Sequence, residues 1–202
     1  MTSPYRILPP QNHQAPILLV DMDGVLADFV GGVYRDWDHI GHHKEMPLKS
    51  REELTSFWLH HDHPVHYGDP LHDLVNTKGF FASLDPIPGS LEALEELERI
   101  PHLVIRLCTA PLFGNPTCMD DKGAWVGWWL GREWQERIVM TKDKTLVRGD
   151  WLIDDKPKIE GQLERQWEHL VFPQPYNKVH WGDRRADGGW PEIVTAIQEA
   201  CG

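Results

Sequence analysis

The segment "PILLVDMDG", residues 16–24, constrains this chain more than any other. It is apolar on both faces and then stops abruptly in acid and glycine. A half-exposed strand would alternate polar and apolar residues, so a continuous apolar run reads as a strand buried on both sides, as in a parallel sheet. Similar runs recur at "HLVIRLCTA", "RIVMT", "WLIDD" and "HLVF". Helical patterns lie between several of them. "GSLEALEELERI" sets Leu91, Leu94 and Leu97 at helical spacing, with Ser90 in position to cap the helix. "DDKGAWVGWWLGREW" sets Trp125, Trp128 and Trp129 on one face, which reads as core packing rather than as a platform for a cofactor. Strands alternating with helices predict an α/β chain with a parallel sheet covered on both faces.

The alternation fails between about Phe29 and Leu84. That stretch holds helical fragments, many histidines and no clear strand, so it reads as a small helical insertion after the first strand. The expected division is a core of residues 15–29 and 85–202, with 30–84 inserted. A length of 202 residues suits one domain carrying such an insertion. The polar opening "MTSPYRILPPQNHQAP" has no signal-like apolar stretch, and no run is long enough to span a bilayer. The three cysteines match no zinc or disulfide spacing. A soluble, reduced, cytoplasmic protein is expected.

In an open parallel sheet, ligands sit beyond the carboxyl ends of the strands. The first run ends in Asp21 and Asp23, the second in Thr109, and the fourth in Asp154 and Asp155. Lys144 follows the third. Four carboxylates delivered to one edge repel each other unless a divalent cation holds them. Mg²⁺ takes hard oxygen ligands and pairs with phosphate. Asp21 is then placed to attack phosphorus, and Asp23 to act as general acid and base. Gly24 lets backbone N–H groups approach phosphate oxygens, while Thr109 and Lys144 supply a hydroxyl and a charge. A net charge of −11 argues against a nucleic-acid polymer or an anionic membrane as partner, but is compatible with a cation and a small phosphate ester.

These residues resemble the haloacid dehalogenase-like phosphatases. More closely, "VDMDGVLADF", "CTAP", "RIVMTKDKT" and "LIDDKP" resemble the 5'(3')-deoxyribonucleotidases, as do "FFASLDPIPGSLEAL" and "QWEHLVF". The resemblance covers about Ile17 to Phe172. It implies a Rossmann-like three-layer sandwich with a helical cap inserted after the first strand. It implies Asp21 as nucleophile, Asp23 as acid/base, and Mg²⁺ held by Asp21, Asp154 and the carbonyl of Asp23. Asp155 stands beside the metal, reaching it through water or orienting Lys144. Thr109, Lys144, Gly24 and the backbone at Ala110 hold phosphate. Phe29, Phe57, Trp58 and Leu59, with Lys142, line the pocket for the base. It also suggests a homodimer.

Several positions depart from that pattern. Ala110 stands in place of a serine, Lys142 in place of an arginine, and Val75 where a tryptophan is expected. These changes bear on nucleotide preference rather than on the phosphate chemistry. His60, His61, His63 and His66 read as an exposed loop, not as a metal cluster, and Cys108 as a buried thiol. The resulting expectation is a Mg²⁺-dependent phosphomonoesterase for (deoxy)nucleoside monophosphates. The alternatives are the same chemistry on a sugar phosphate or other organic phosphate, and a non-catalytic nucleotide-binding module.

Overall fold

The computed structural model describes residues 7–10, 15–41, 44–178 and 184–202, so part of the polar opening arm lies outside the described residues. Every apolar run becomes a strand: β1 (Ile17–Val20), β2 (Val104–Thr109), β3 (Ile138–Met140), β4 (Trp151–Asp154) and β5 (Glu168–Val171). A sixth strand, β6 (Arg184–Arg185), follows from no apolar run and closes one edge. The strands form one sheet in the order β3-β2-β1-β4-β5-β6, and every pairing is parallel. Leu18 of β1 stands beside Ile105 on one side and Trp151 on the other.

The helices are α1 (Phe29–His39), α2 (Gly68–Val75), α3 (Ser90–Glu98), α4 (Cys118–Trp129), α5 (Arg132–Gln135) and α6 (Trp190–Cys201). On one face of the sheet, Leu18, Val20, Leu107 and Ile153 join a cluster with Leu94 and Leu97 of α3, Trp125 of α4 and Ile193 and Ile197 of α6. On the other face Leu19, Cys108 and Leu152 meet Trp167, with Val147 and Ile159 packed against them. Both faces are therefore covered, the second by a segment of turns rather than by an α-helix. Leu18, Leu19 and Val20 are wholly removed from water. Each contributes about 1.5–3 kcal/mol to folding, which explains why this run tolerates no polar residue until the strand ends.

Two local expectations change. Ser90 is the first residue of α3 rather than its cap. Gly89, at φ +81°, occupies the cap position, and the Ser90 hydroxyl donates to the carbonyl of Leu26 at 3.3 Å. On α4 the buried stripe is Cys118, Asp121, Lys122, Trp125 and Val126. It ends there, and the last turn carries Trp128 (82 % exposed) and Trp129 (39 % exposed) to the surface. Only Trp125 of the three tryptophans is core.

The stretch from Phe29 to Leu84 forms α1, α2 and short 3-10 turns at Arg51–Glu53, Leu59–Asp62, Val65–Tyr67 and Phe81–Ser83, with no strand among its described residues. It is held by polar hubs as much as by packing. Asp28 caps α1 by accepting from Gly31 N–H at 3.0 Å and pairs with Arg51. Asp62 accepts from the backbone of Thr55 and Ser56 and from the Thr55 hydroxyl at 2.6 Å. His63 is buried. Its Nδ1 donates to the Leu59 carbonyl at 2.8 Å and its Nε2 accepts from Lys49 N–H at 3.0 Å, and its ring stacks on Tyr67. That histidine is structural, whereas His60, His61 and His66 are exposed.

Candidate active site

The strand order reverses at β1: the chain moves outward through β2 to β3, then returns to β4 on the other side of β1. A crevice at such a switch point is where α/β sheets bind ligands. Asp21 directly follows β1, and its N–H donates to the Ile153 carbonyl of β4 at 2.9 Å. Asp154 ends β4. Carboxylate oxygens of Asp21, Asp154 and Asp155 lie within 4.8 Å of one another.

One lysine faces this group. Lys144 Nζ donates to Asp154 Oδ2 at 2.5 Å and lies 2.9 Å from Asp21 Oδ1. Its approach is set by "TKDKT": Asp143 caps the short turn, accepting from Thr145 N–H at 2.9 Å, and so aims Lys144 inward. Burial alone would strip the Lys144 proton, but Asp154 and Asp21 hold it firmly charged. Burial likewise opposes ionisation of Asp154, yet Lys144 beside it keeps that carboxyl low. The balance differs for the other two. Asp21 is pushed up to about 6, by burial first and then by neighbouring carboxylates, against the pull of Lys144. Asp155 is pushed well up by burial and by the charges of Asp154 and Asp21. The cluster is short of positive charge. Asp23 Oδ1 is moreover buried without a hydrogen-bond partner, and the single charge of Lys144 is divided between Asp21 Oδ1 and Asp154 Oδ2. An orphaned carboxylate oxygen beside an acidic triad that shares one lysine charge fits a hard divalent cation.

Around Gly24 the chain turns tightly. The N–H groups of Val25, Leu26 and Ala27 all point to the Met22 carbonyl, and Gly24 N–H donates to the Ala27 carbonyl at 2.9 Å. Its N–H is therefore engaged within the turn rather than open to a phosphate. The absent side chain matters more. Gly24 has φ +74°, and a Cβ there would lie 2.3 Å from Asp155 Oδ2 and 2.9 Å from the Tyr176 hydroxyl. Asp155 does not orient Lys144, which is taken by Asp154. Instead it accepts from the Tyr176 hydroxyl.

Asp23 lies in this turn and meets a residue that the strand-end reasoning missed. Lys122 of α4, 1 % exposed, donates to Asp23 Oδ2 at 2.7 Å, Thr109 Oγ1 at 2.7 Å and the Ala110 carbonyl at 2.8 Å. Thr109 is itself fully buried, and its hydroxyl oxygen faces Lys122. The available signal was a lysine three residues before Trp125, on the same buried stripe.

A cavity of about 400 Å³ opens from the acidic cluster. Asp21, Asp23, Gly24, Ala110, Lys144, Asp154 and Asp155 line its inner end. Its walls include all five residues expected around a base: Phe29, Phe57, Trp58, Leu59 and Lys142. Val75 and His60 also reach it, as do Lys156 and Tyr176, which the strand-end pattern does not single out. Phe29 meets Phe80 edge-on at 5.6 Å, and Phe57 meets Trp58 edge-on at 5.2 Å. Lys156 Nζ lies 5.8 Å from the Phe57 ring centre, while Lys156 N–H donates to Asp154 Oδ1 at 2.9 Å. Cys108 lies outside the cavity, with its thiol pushed up to about 12 by burial, so it is no nucleophile.

Among known proteins, residues 15–200 match a family model described as "5' nucleotidase, deoxy (Pyrimidine), cytosolic type C protein". The human cytosolic 5'(3')-deoxyribonucleotidase is 38% identical over 196 residues, covering 91% of this chain and 95% of that protein. The human mitochondrial 5'(3')-deoxyribonucleotidase is 36% identical over 169 residues, covering 80% and 72% respectively. A haloacid dehalogenase family hydrolase from Deinococcus radiodurans, solved with bound phosphate and sodium, shares the fold at a TM-score of 0.59 and 18% identity, covering 94% of this chain and 97% of that one. The sheet order, the acidic cluster at the switch point and the match over residues 15–200 converge on one assignment: the chain belongs to the cytosolic-type 5'(3')-deoxyribonucleotidase family, on a haloacid dehalogenase-like fold.

Proposed function

We propose that this protein is a Mg²⁺-dependent phosphomonoesterase that hydrolyses (deoxy)nucleoside monophosphates. One observation carries the reading. A single cavity has carboxylates and Lys144 at its inner end and aromatic walls at Phe29, Phe57 and Trp58. The polar end suits a phosphate, and the aromatic walls suit a planar base. A sugar phosphate would leave those walls unused.

Asp21, Asp154 and the Asp23 carbonyl would hold Mg²⁺, with Asp155 beside it. The cation would neutralise phosphate charge and let an anionic carboxylate approach phosphorus. An oxygen of Asp21 attacks phosphorus in line, and the ester P–O bond breaks. Asp23 gives its proton to the departing sugar oxygen. Water then attacks the aspartyl-phosphate and Asp23 takes its proton, which restores Asp21 and releases inorganic phosphate. Lys144 balances the equatorial oxygens, with the Ala110 backbone at their edge, while Thr109, fully buried and not part of the cavity lining, supports the site through Lys122. Gly24 contributes space rather than an N–H. Lys122 holds Asp23 in place. In this reading residues 30–84 are the cap over a core of 15–29 and 85–202, and Phe57, Trp58 and Leu59 are its contribution to the base pocket. The buried free thiols Cys108 and Cys118 agree with a reducing cytoplasm, and a homodimer is the expected assembly.

Release of phosphate from a panel of nucleoside monophosphates and sugar phosphates tests this, with Mg²⁺ and with chelator. Faster turnover of the nucleotides, lost with chelator and in Asp21→Asn, is expected. Equal rates on both substrate classes would overturn the nucleotide assignment. Activity retained in Asp21→Asn would overturn the mechanism.

A further inference from the structure

After β5 the chain makes a short 3-10 turn at Pro175–Asn177 that lies across the site. It is strapped down by polar contacts. Gln174 Nε2 donates to the Gly24 carbonyl at 2.6 Å. Asn177 Nδ2 donates to the carbonyls of Asp155 and Phe172, both at 2.7 Å. Arg185 Nε donates to Asn177 Oδ1 at 2.8 Å. Gln174 and Asn177 are buried, so these bonds form in a setting where leaving them unmade is costly.

The strap presents one aromatic side chain, Tyr176, which is 7 % exposed. Its two ends touch different parts of the cavity. The hydroxyl donates to Asp155 Oδ2, in the pocket that Gly24 leaves open. The ring packs in a cluster with Val30 of α1 and Leu54 of the insertion, and meets Phe57 edge-on at 6.1 Å. A carboxylate with one oxygen committed to a buried hydroxyl is fixed in rotation. The orientation of Asp155 toward Asp21 and Asp154 therefore depends on where Tyr176 sits, and Phe57 rests on the same ring.

We propose that Tyr176 is a positioning residue that ties the Asp155 carboxylate to the Phe57 wall, so that cation binding and nucleoside binding are coupled through one side chain. This rests on the reading of the acidic cluster as a Mg²⁺ site. Ordering Asp155 by the cation orders Tyr176 and hence Phe57, and filling the pocket acts in the reverse direction by the same factor. The phosphate is not needed for this coupling, because it runs through protein groups.

Calorimetric titration of Mg²⁺ into the full chain, with and without a pyrimidine deoxynucleoside lacking phosphate, separates the possibilities. The wild-type protein is expected to bind Mg²⁺ roughly fivefold more tightly with the deoxynucleoside present. Tyr176→Phe keeps the ring against Phe57 but loses the hydroxyl. Its Mg²⁺ affinity should fall on the order of tenfold and the deoxynucleoside should no longer change it. Melting in chelator shows whether the variant is folded, and a purely structural tyrosine would lower the melting temperature while leaving Mg²⁺ affinity intact. Unchanged Mg²⁺ affinity in Tyr176→Phe, or no effect of the deoxynucleoside on the wild type, overturns the proposal. A wild-type protein that binds no Mg²⁺ overturns instead the metal reading on which it stands.

Discussion

At the scale of single residues, the site is a charge balance in a buried place. Asp21 and Asp154 share Lys144, Asp155 is held by the Tyr176 hydroxyl, and Asp23 pairs with Lys122. All three N–H groups of the Lys122 ammonium are used, on Asp23, Thr109 and Ala110. Such a lysine cannot reach a substrate oxygen without giving up a bond, so it acts by holding Asp23. Lys122→Met preserves most of the packing and removes the charge. It is expected to lower kcat on the order of 10²-fold, the usual worth of a well-placed general acid and base, with KM changed only a few-fold. Steady-state kinetics on the preferred nucleotide checks this. An unchanged kcat would mean that Asp23 is held without Lys122. The strand-end acids were readable from sequence because a buried strand must stay apolar until it leaves the core, which marks where the polar residues begin. Lys122 and Tyr176 were not readable in that way. They come from a helix face and a turn, and reach the site only through the packing of α4 and the strap on the sheet.

At the scale of elements, the same contrast recurs. The five apolar runs became strands because burial on both faces overrides any other preference. Trp128 and Trp129 of α4 end at the surface although they share a face with Trp125, because helical spacing shows which residues share a face but not how far along the helix the core extends. The stretch between α1 and α3 has the weakest pattern, and its 3-10 turns explain why: i to i+3 turns carry no long amphipathic period. Its order is instead polar, and Asp62 is a main hub. Burial raises the pKa of that carboxyl, but the Thr55 and Ser56 hydrogen bonds and Lys49, 3.6 Å away, outweigh it and leave the value below the ordinary 3.8. A group depressed on folding adds stability above its unfolded pKa and loses it as pH falls through the folded value. The melting temperature of the wild type should therefore exceed that of Asp62→Ala at pH 7, with the gap closing as the pH is taken below about 4. A gap of constant size from pH 7 to pH 3 would show that the carboxylate charge contributes nothing to this hub.

For the whole molecule, the decisive arrangement is the order β3-β2-β1-β4-β5-β6. It places β1 and β4 side by side at the switch point, so acids 133 residues apart in sequence, Asp21 and Asp154, end on one edge. A chain with net charge −11 thereby concentrates negative charge where the fold has least freedom to relieve it. The raised carboxyls of Asp21 and Asp155 are the sign of that tension. A cation that binds only the folded arrangement should then stabilise the entire chain by mass action. At a Mg²⁺ concentration 100-fold above its Kd, the gain is about 2.7 kcal/mol. For a domain of this size that is a rise of roughly 5–10 °C in melting temperature. The rise should saturate with Mg²⁺, vanish with chelator and be lost in Asp154→Asn, whose amide ligates a hard cation poorly. Equal Mg²⁺-induced rises in the wild type and in Asp154→Asn would place the stabilising cation elsewhere on the acidic surface, and would detach the fold's stability from the cluster at its switch point.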